Sequence, residues 1–96
     1  MELKFELDSD QANGRFYLET AGERKAVLEV LITETGRLVI KHTEVHRDLE
    51  GQGVGRALLD ATVNYAREKN FKILPICPYA KAVMNRHPEK YREVMV

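Results

Sequence analysis

Glycine alternates three times in Glu50-Gly51-Gln52-Gly53-Val54-Gly55-Arg56, and Ala57-Leu58-Leu59 follows at once. Gly53 and Gly55 fall where the first turn of a helix should stand. Each costs up to about 1 kcal/mol there relative to Ala. No Ser, Thr, Asp or Asn stands directly before that turn as a side-chain cap. The first amides of the helix are therefore free, and no Cβ blocks approach at three positions. With the positive end of the helix dipole they form an anion site best suited to phosphate. Read from the glycines alone, the stretch is either that site or a turn joining strand to helix. It is not a Walker loop, because no Gly-Lys-Ser/Thr follows. Nor is it a Rossmann fingerprint, since Gly-x-Gly-x-Gly replaces Gly-x-Gly-x-x-Gly and a polar loop, His46 to Glu50, precedes it.

Two side chains add reactive chemistry. Cys77 precedes Pro78, and Pro is favoured in a first helical turn, so Cys77 is expected at the N-cap of a short helix. A thiol there feels the positive helix end and becomes a better nucleophile; the alternative is inert packing. His42 is expected mid-strand, sharing a face with Ile40 and Glu44. It is either a hydrogen-bonded structural residue or a general base near neutral pH. His42 and His46 lie about 13 Å apart along one strand, too far to share a metal, so no metal site is expected. His87, before Pro88, is expected to be solvated.

The elements that position these groups are legible in order. Leu3, Phe5 and Leu7 alternate with charges, the period of a half-buried strand. Asp8 to Gly14 holds turn residues and ends in an Asn-Gly hairpin signal. Arg15–Glu19 reads as a second strand with Phe16 and Leu18 on one face. After a turn at Ala21-Gly22-Glu23, Lys25 to Thr33 reads as a third, with Leu28, Val30 and Ile32 on one face. Glu34-Thr35-Gly36 turns again, and Arg37 to Val45 reads as a fourth. These four make an antiparallel meander. A helix follows from about Val54 to Lys69. Its apolar stripe is Val54, Leu58, Ala61 and Tyr65, widened by Leu59, Val63 and Ala66, with Arg56, Asp60, Asn64 and Glu68 opposite. Asn70 closes it. Phe71 to Cys77 reads as a fifth strand, parallel to the fourth because a helix crosses between them. Pro75 places that strand at a sheet edge or peels it away from its neighbour.

Composition bounds the reading. Ninety-six residues make one domain, residues 1–96, burying a little over ~60% of its unfolded surface. Fifteen basic and 15 acidic residues cancel, so neither nucleic acid nor a membrane surface is expected as partner. Lys81, Arg86, Lys90 and Arg92 are expected to form a solvated face. One Cys, no long apolar run and a charged start point to a cytoplasmic location.

Gly51-Gln52-Gly53-Val54-Gly55-Arg56-Ala57-Leu58-Leu59 resembles the pyrophosphate-binding loop of the GNAT N-acetyltransferase superfamily, Gln/Arg-x-x-Gly-x-Gly/Ala. Gly53 and Gly55 match the pattern glycines, and Glu50 departs from the first position. Together with His42-Thr43-Glu44-Val45, Cys77-x-Tyr79 and Arg86-His87-Pro88-Glu89-x-Tyr91, the chain resembles a minimal, roughly hundred-residue branch of that superfamily. The resemblance implies an α/β (α+β) fold, a mixed sheet in which the antiparallel four-strand meander leads by a helix crossover to a parallel fifth strand and a short C-terminal helix. It implies acetyl-coenzyme A as co-substrate, its pyrophosphate held by Gln52, Gly53, Val54, Gly55, Arg56 and Ala57, and its pantetheine arm between strands four and five beside Val45 and Tyr79. It implies Cys77 and His42 as the catalytic pair. Tyr79 is the candidate to protonate the departing thiolate, because the usual closing motif, Asn-x-x-Ala then Leu-Tyr, is missing. The helices that shape the acceptor site in larger members are missing too. The acceptor, a small amine or a protein lysine or N-terminus, is left open. So is the route: direct transfer, or transfer through Cys77. The rival expectation is a coenzyme A-binding or protein-interaction module with the same fold and no chemistry.

Overall fold

A computed structural model describes residues 1–96. The meander runs through β1 (Leu3–Leu7), β2 (Asn13–Thr20), β3 (Glu23–Ile32) and β4 (Arg37–Val45). A single 3-10 turn at Arg47–Leu49 leads to α1 (Val54–Lys69), β5 (Lys72–Pro75), α2 (Pro78–Arg86), α3 (Pro88–Tyr91) and a last 3-10 turn at Arg92–Val94. The sheet order is β1-β2-β3-β4-β5, antiparallel up to β4 and parallel between β4 and β5. The mixed GNAT-like sheet expected from the sequence is present.

Each strand buries alternate residues on one face only: Phe16 and Leu18, then Ala26, Leu28 and Val30, then Leu38 and Ile40, then Ile73. Against that face α1 packs Leu58, Leu59, Val63 and Ala66. Each of the Leu and Val side chains contributes about 1.5–3 kcal/mol over leaving it in water, and the Ala66 methyl about 0.8 kcal/mol. Thr62 is buried with them, which the apolar stripe did not foresee. Its hydroxyl donates to the Leu58 carbonyl at 2.8 Å, so no polar group is stranded. No helix covers the other face, and the chain spans only 20 Å in its thinnest direction, the depth of a sheet and one helix layer.

Local chemistry fixes the turns. Ala21 and Gly22 both take positive φ, 51° and 80°, the two-residue hairpin turn that matches strand twist. Asn70 takes φ 60° as the α1 cap, and the Phe71 amide reaches back to the Ala66 carbonyl at 2.9 Å.

The structure corrects three boundaries. Asn13-Gly14 is not the first turn but the start of β2. Asp10 closes the turn instead, its Oδ1 accepting from the Ala12 and Asn13 amides at 2.9 Å each. Gly14 is needed where it stands because a Cβ there would lie 2.7 Å from the Glu6 carbonyl oxygen. Secondly, β5 ends at Pro75 rather than Cys77. Lys72 donates to the carbonyl of Gly36, just before β4, and Ile76 to that of Ile40 on β4, so Pro75, between these rungs, turns its missing N–H to the outer edge and costs nothing. The ladder stops one step later, where the Ile40 carbonyl accepts from both Ile76 and Cys77, at 3.0 and 2.9 Å, and the chain turns into α2.

The third correction concerns His42. Pairing jumps from Glu29↔His42 to Val30↔Ile40, so Lys41 is an extra residue, a β-bulge in β4. Before it, Leu38 and Ile40 face the helices. After it, Thr43 and Val45 do, opposite Leu28 and Ala26, while His42 and Glu44 face the open side. His42 therefore does not share a face with Ile40.

Candidate functional site

The glycine stretch forms a turn of free amides. Gly51 and Gly53 take φ 77° and 76°, the left-handed region that glycine enters without strain. Gly53 is the N-cap of α1 and no side chain caps the helix. The first α1 hydrogen bond runs from the Ala57 amide to the Gly53 carbonyl at 3.0 Å. The amides of Gly51, Gly53, Val54, Gly55 and Arg56 donate to no group in the chain. Gln52 and Ala57 differ from the sequence assignment in this respect. The Gln52 amide is taken by the Leu49 carbonyl, its side chain donates to the Asp48 carbonyl at 3.1 Å, and the Ala57 amide is spent on the helix. Gly51 joins the free set, and its place in the glycine alternation was the signal for it.

These amides border an open groove of about 250 Å³. Val45, Gly53, Val54, Gly55, Arg56 and Tyr79 all line it, so six residues assigned from the sequence come together in one place. Tyr79 lies across Gly55: a Cβ there would meet the phenol oxygen at 3.2 Å. Burial pushes the Tyr79 phenol above its usual pKa. Arg56, expected on the wet face, is half-buried. Its guanidinium sits 6.0 Å from the Tyr91 ring, and its Nε is shielded from water without a hydrogen bond, 3.5 Å from Asp60 Oδ1.

Cys77 caps α2 as the sequence suggested, with Pro78 in the first turn. It is 3% exposed, and its thiol donates to the Thr43 hydroxyl at 3.3 Å. Thr43 lies two residues before Val45 on the same face of β4, and Cys77 lies two before Tyr79. Val45 and Tyr79 line the groove, and Cys77 and Thr43 do not. His42 is not brought to Cys77. It faces the open side, its Nε2 3.5 Å from Glu44 Oε1. Thr43 was missed because the bulge that turns it inward leaves no mark in the residue pattern.

A second, wider concavity of about 720 Å³ lies on the open side, lined by Arg15, Val27, Glu29 and Glu44 among others. Its central cation is satisfied within the chain. Arg15 reaches Glu6 at 2.7 Å, Asp8 at 2.8 Å and Glu29 at 3.0 Å.

The family model for GCN5-related N-acetyl-transferase matches residues 15–94. The chain belongs to that family, which carries out acetyl transfer and generally takes acetyl-coenzyme A as co-substrate. Among solved structures it is similar to a GCN5-like protein from Staphylococcus aureus, 30% identical with TM-score 0.72, covering 97% of this chain and 87% of that one. It is also similar to a nourseothricin acetyltransferase, 26% identical with TM-score 0.57, covering 69% of this chain and 41% of that one. A ribosomal-protein-alanine N-acetyltransferase from Brucella melitensis biovar Abortus 2308 shares the fold, at 22% identity and TM-score 0.66, covering 80% and 62%. The chain thus spans less than two thirds of these last two. No curated protein matches it. No helix is long and apolar enough to cross a membrane.

Proposed function

We propose that residues 1–96 act as one acetyltransferase domain that binds acetyl-coenzyme A in the groove and passes the acetyl group to an amine. The observation that carries this reading is the run of four unpaired amides, Gly53 to Arg56, with that of Gly51 nearby, at an uncapped helix start beside a groove. The amides from Gly53 to Arg56 hold the pyrophosphate, and the Arg56 guanidinium adds positive potential. The backbone of Gln52 and Ala57 shapes the loop without donating. Val45 and Tyr79 flank the pantetheine arm, and that arm leads to Cys77.

In the covalent route Cys77 Sγ attacks the thioester carbonyl, coenzyme A leaves as its thiol, and the acetyl-cysteine then yields the acetyl group to the amine, regenerating the Cys77 thiol. Thr43 orients Sγ. His42 faces the open side and lines no part of the groove, so it does not reach an amine attacking at Cys77; its role as base belongs to direct transfer, to an amine arriving from that side. The chain works in the cytoplasm, on a small amine or a protein lysine or N-terminus. A second reading, a coenzyme A-binding module without chemistry, draws on two observations: Cys77 is buried, and His42 lies on the opposite face.

The test is calorimetric titration with acetyl-coenzyme A of the wild type and of Gly53→Asp. Nothing lies within 4 Å of a Cβ at Gly53, so the new carboxylate has room, at the cost of backbone strain at φ 76°, and it opposes the pyrophosphate. Binding by the wild type alone is expected; no binding by either removes the proposal. Mass spectrometry then separates the two readings. An acetyl adduct on the wild type that Cys77→Ser lacks supports the covalent route. Normal turnover by Cys77→Ser with a genuine acceptor ends it.

A further inference from the structure

The two edges of the sheet are built differently. Along β5 the outer edge is blunted: Pro75 has no donor to offer, and the chain end covers the rest, with Met95 bridged to Ile73 and the Val96 amide bonded to the Ile73 carbonyl at 2.9 Å. Along β1 nothing of the kind occurs. The Asp8 amide donates to the Asn13 carbonyl at 2.8 Å, and Leu7 pairs with Gly14 and Glu6 with Arg15. That bond sets the alternation of the ladder. Lys4 and Glu6 turn their backbone groups to β2, and Leu3, Phe5 and Leu7 turn theirs outward, where nothing in the chain meets them.

We propose that β1 pairs antiparallel with β1 of a second copy of this chain, about a two-fold axis through Phe5, so that one sheet runs through both molecules. With that axis Phe5 meets Phe5, Leu3 meets Leu7, and Lys4 meets Glu6. The three outward residues of each strand then form three hydrogen-bonded pairs. On the open face the facing charges are opposite in sign, twice by symmetry. On the helix face Phe5, stacked on Phe16 and Tyr65 at 4.7 and 4.8 Å but still 36% exposed, gains cover from its counterpart. Moving the axis one residue, to Lys4, would set Lys4 against Lys4 and Glu2 against Glu6, like charges face to face. The sequence of the strand therefore selects one register.

Sedimentation equilibrium of the full chain from micromolar to hundreds of micromolar tests this, together with amide exchange by NMR. A concentration-dependent dimer is expected. The Leu3, Phe5 and Leu7 amides should slow as it forms, while Lys4 and Glu6 are slow throughout. Lys4→Glu, at an exposed side chain whose one ion pair is with Glu19 at 3.4 Å, should weaken association at least about tenfold with the melting temperature little changed. A monomer at every concentration with freely exchanging outward amides overturns the proposal; an edge that takes only a foreign extended peptide gives that result. A dimer whose outward amides stay unprotected overturns it as well, and a dimer indifferent to Lys4→Glu overturns the register.

Discussion

Replacing Gly55 by Ala separates stability from binding. Gly55 sits in the first turn of α1 and is not among the positive-φ glycines, so the backbone accepts a side chain. Helix propensity favours Ala by up to about 1 kcal/mol. Against this, the new Cβ stands 3.2 Å from the Tyr79 phenol oxygen and 3.3 Å from Cζ. Tyr79 is 39% exposed, and its ring can yield by the few tenths of an ångström required. Thermal melting should therefore stay within about 1 kcal/mol of the wild type. The loop pattern admits Ala at this position, and the methyl group removes no amide donor. Kd for acetyl-coenzyme A should therefore rise by less than about tenfold, about 1.4 kcal/mol, the share left to the displaced Tyr79 ring. Calorimetric titration measures that Kd. A folded Gly55→Ala protein whose affinity falls by about a hundredfold or more would refute the assignment of the backbone amides to the pyrophosphate.

Tyr91→Ala should destabilise by about 3–5 kcal/mol in denaturant titration, since a fully buried ring is lost and the Asp60 carboxylate loses a donor at 3.4 Å. Gly14→Ala should cost about 1–3 kcal/mol in the same assay, because the neighbour 2.7 Å away is backbone and cannot swing aside. The Asp10 carboxyl is held at about 2, below its ordinary 3.8, by the Asn13 side chain first and then by the Ala12 and Asn13 amides. A lowered folded-state pKa means stability that is complete above pH 4 and lost as pH falls towards 2. Acid unfolding should show this loss in the wild type, and Asp10→Asn should lack that part of it.

What could be read in advance follows from what repeats. Val54 to Lys69 carries sixteen residues of 3.6-period pattern, and α1 begins and ends where the stripe does. Alternation at Phe16 and Leu18, and at Leu28 and Val30, placed β2 and β3 on the correct face. Irregularities were not legible. One unpaired residue, Lys41, turns every later side chain of β4 over, and no residue type marks it. Asn13-Gly14 suits a hairpin turn by propensity, yet the carbonyl of Glu6 and the carboxylate of Asp10 claim those two residues for the strand and its cap. For the candidate site, the alternating glycines located the free amides. Which amides remain free depended on the Arg47–Leu49 turn, where the Leu49 carbonyl takes the Gln52 amide. Tyr91 reads as one aromatic in a charged tail; only the packing of α3 beneath α1 makes it core.

The doubly used carbonyl of Ile40 has a consequence for how the site can change over generations. Residue 77 is fixed by its own amide, and by that of its neighbour, on a main-chain acceptor. Its side chain adds a bond to the Thr43 hydroxyl, but the main chain alone already sets that position. Identity at 77 is thus decoupled from location, and a thiol, a hydroxyl or a bare methyl would be delivered to the same spot. The fold can lose, regain or exchange the proposed nucleophile by single substitutions, with the frame inherited unchanged.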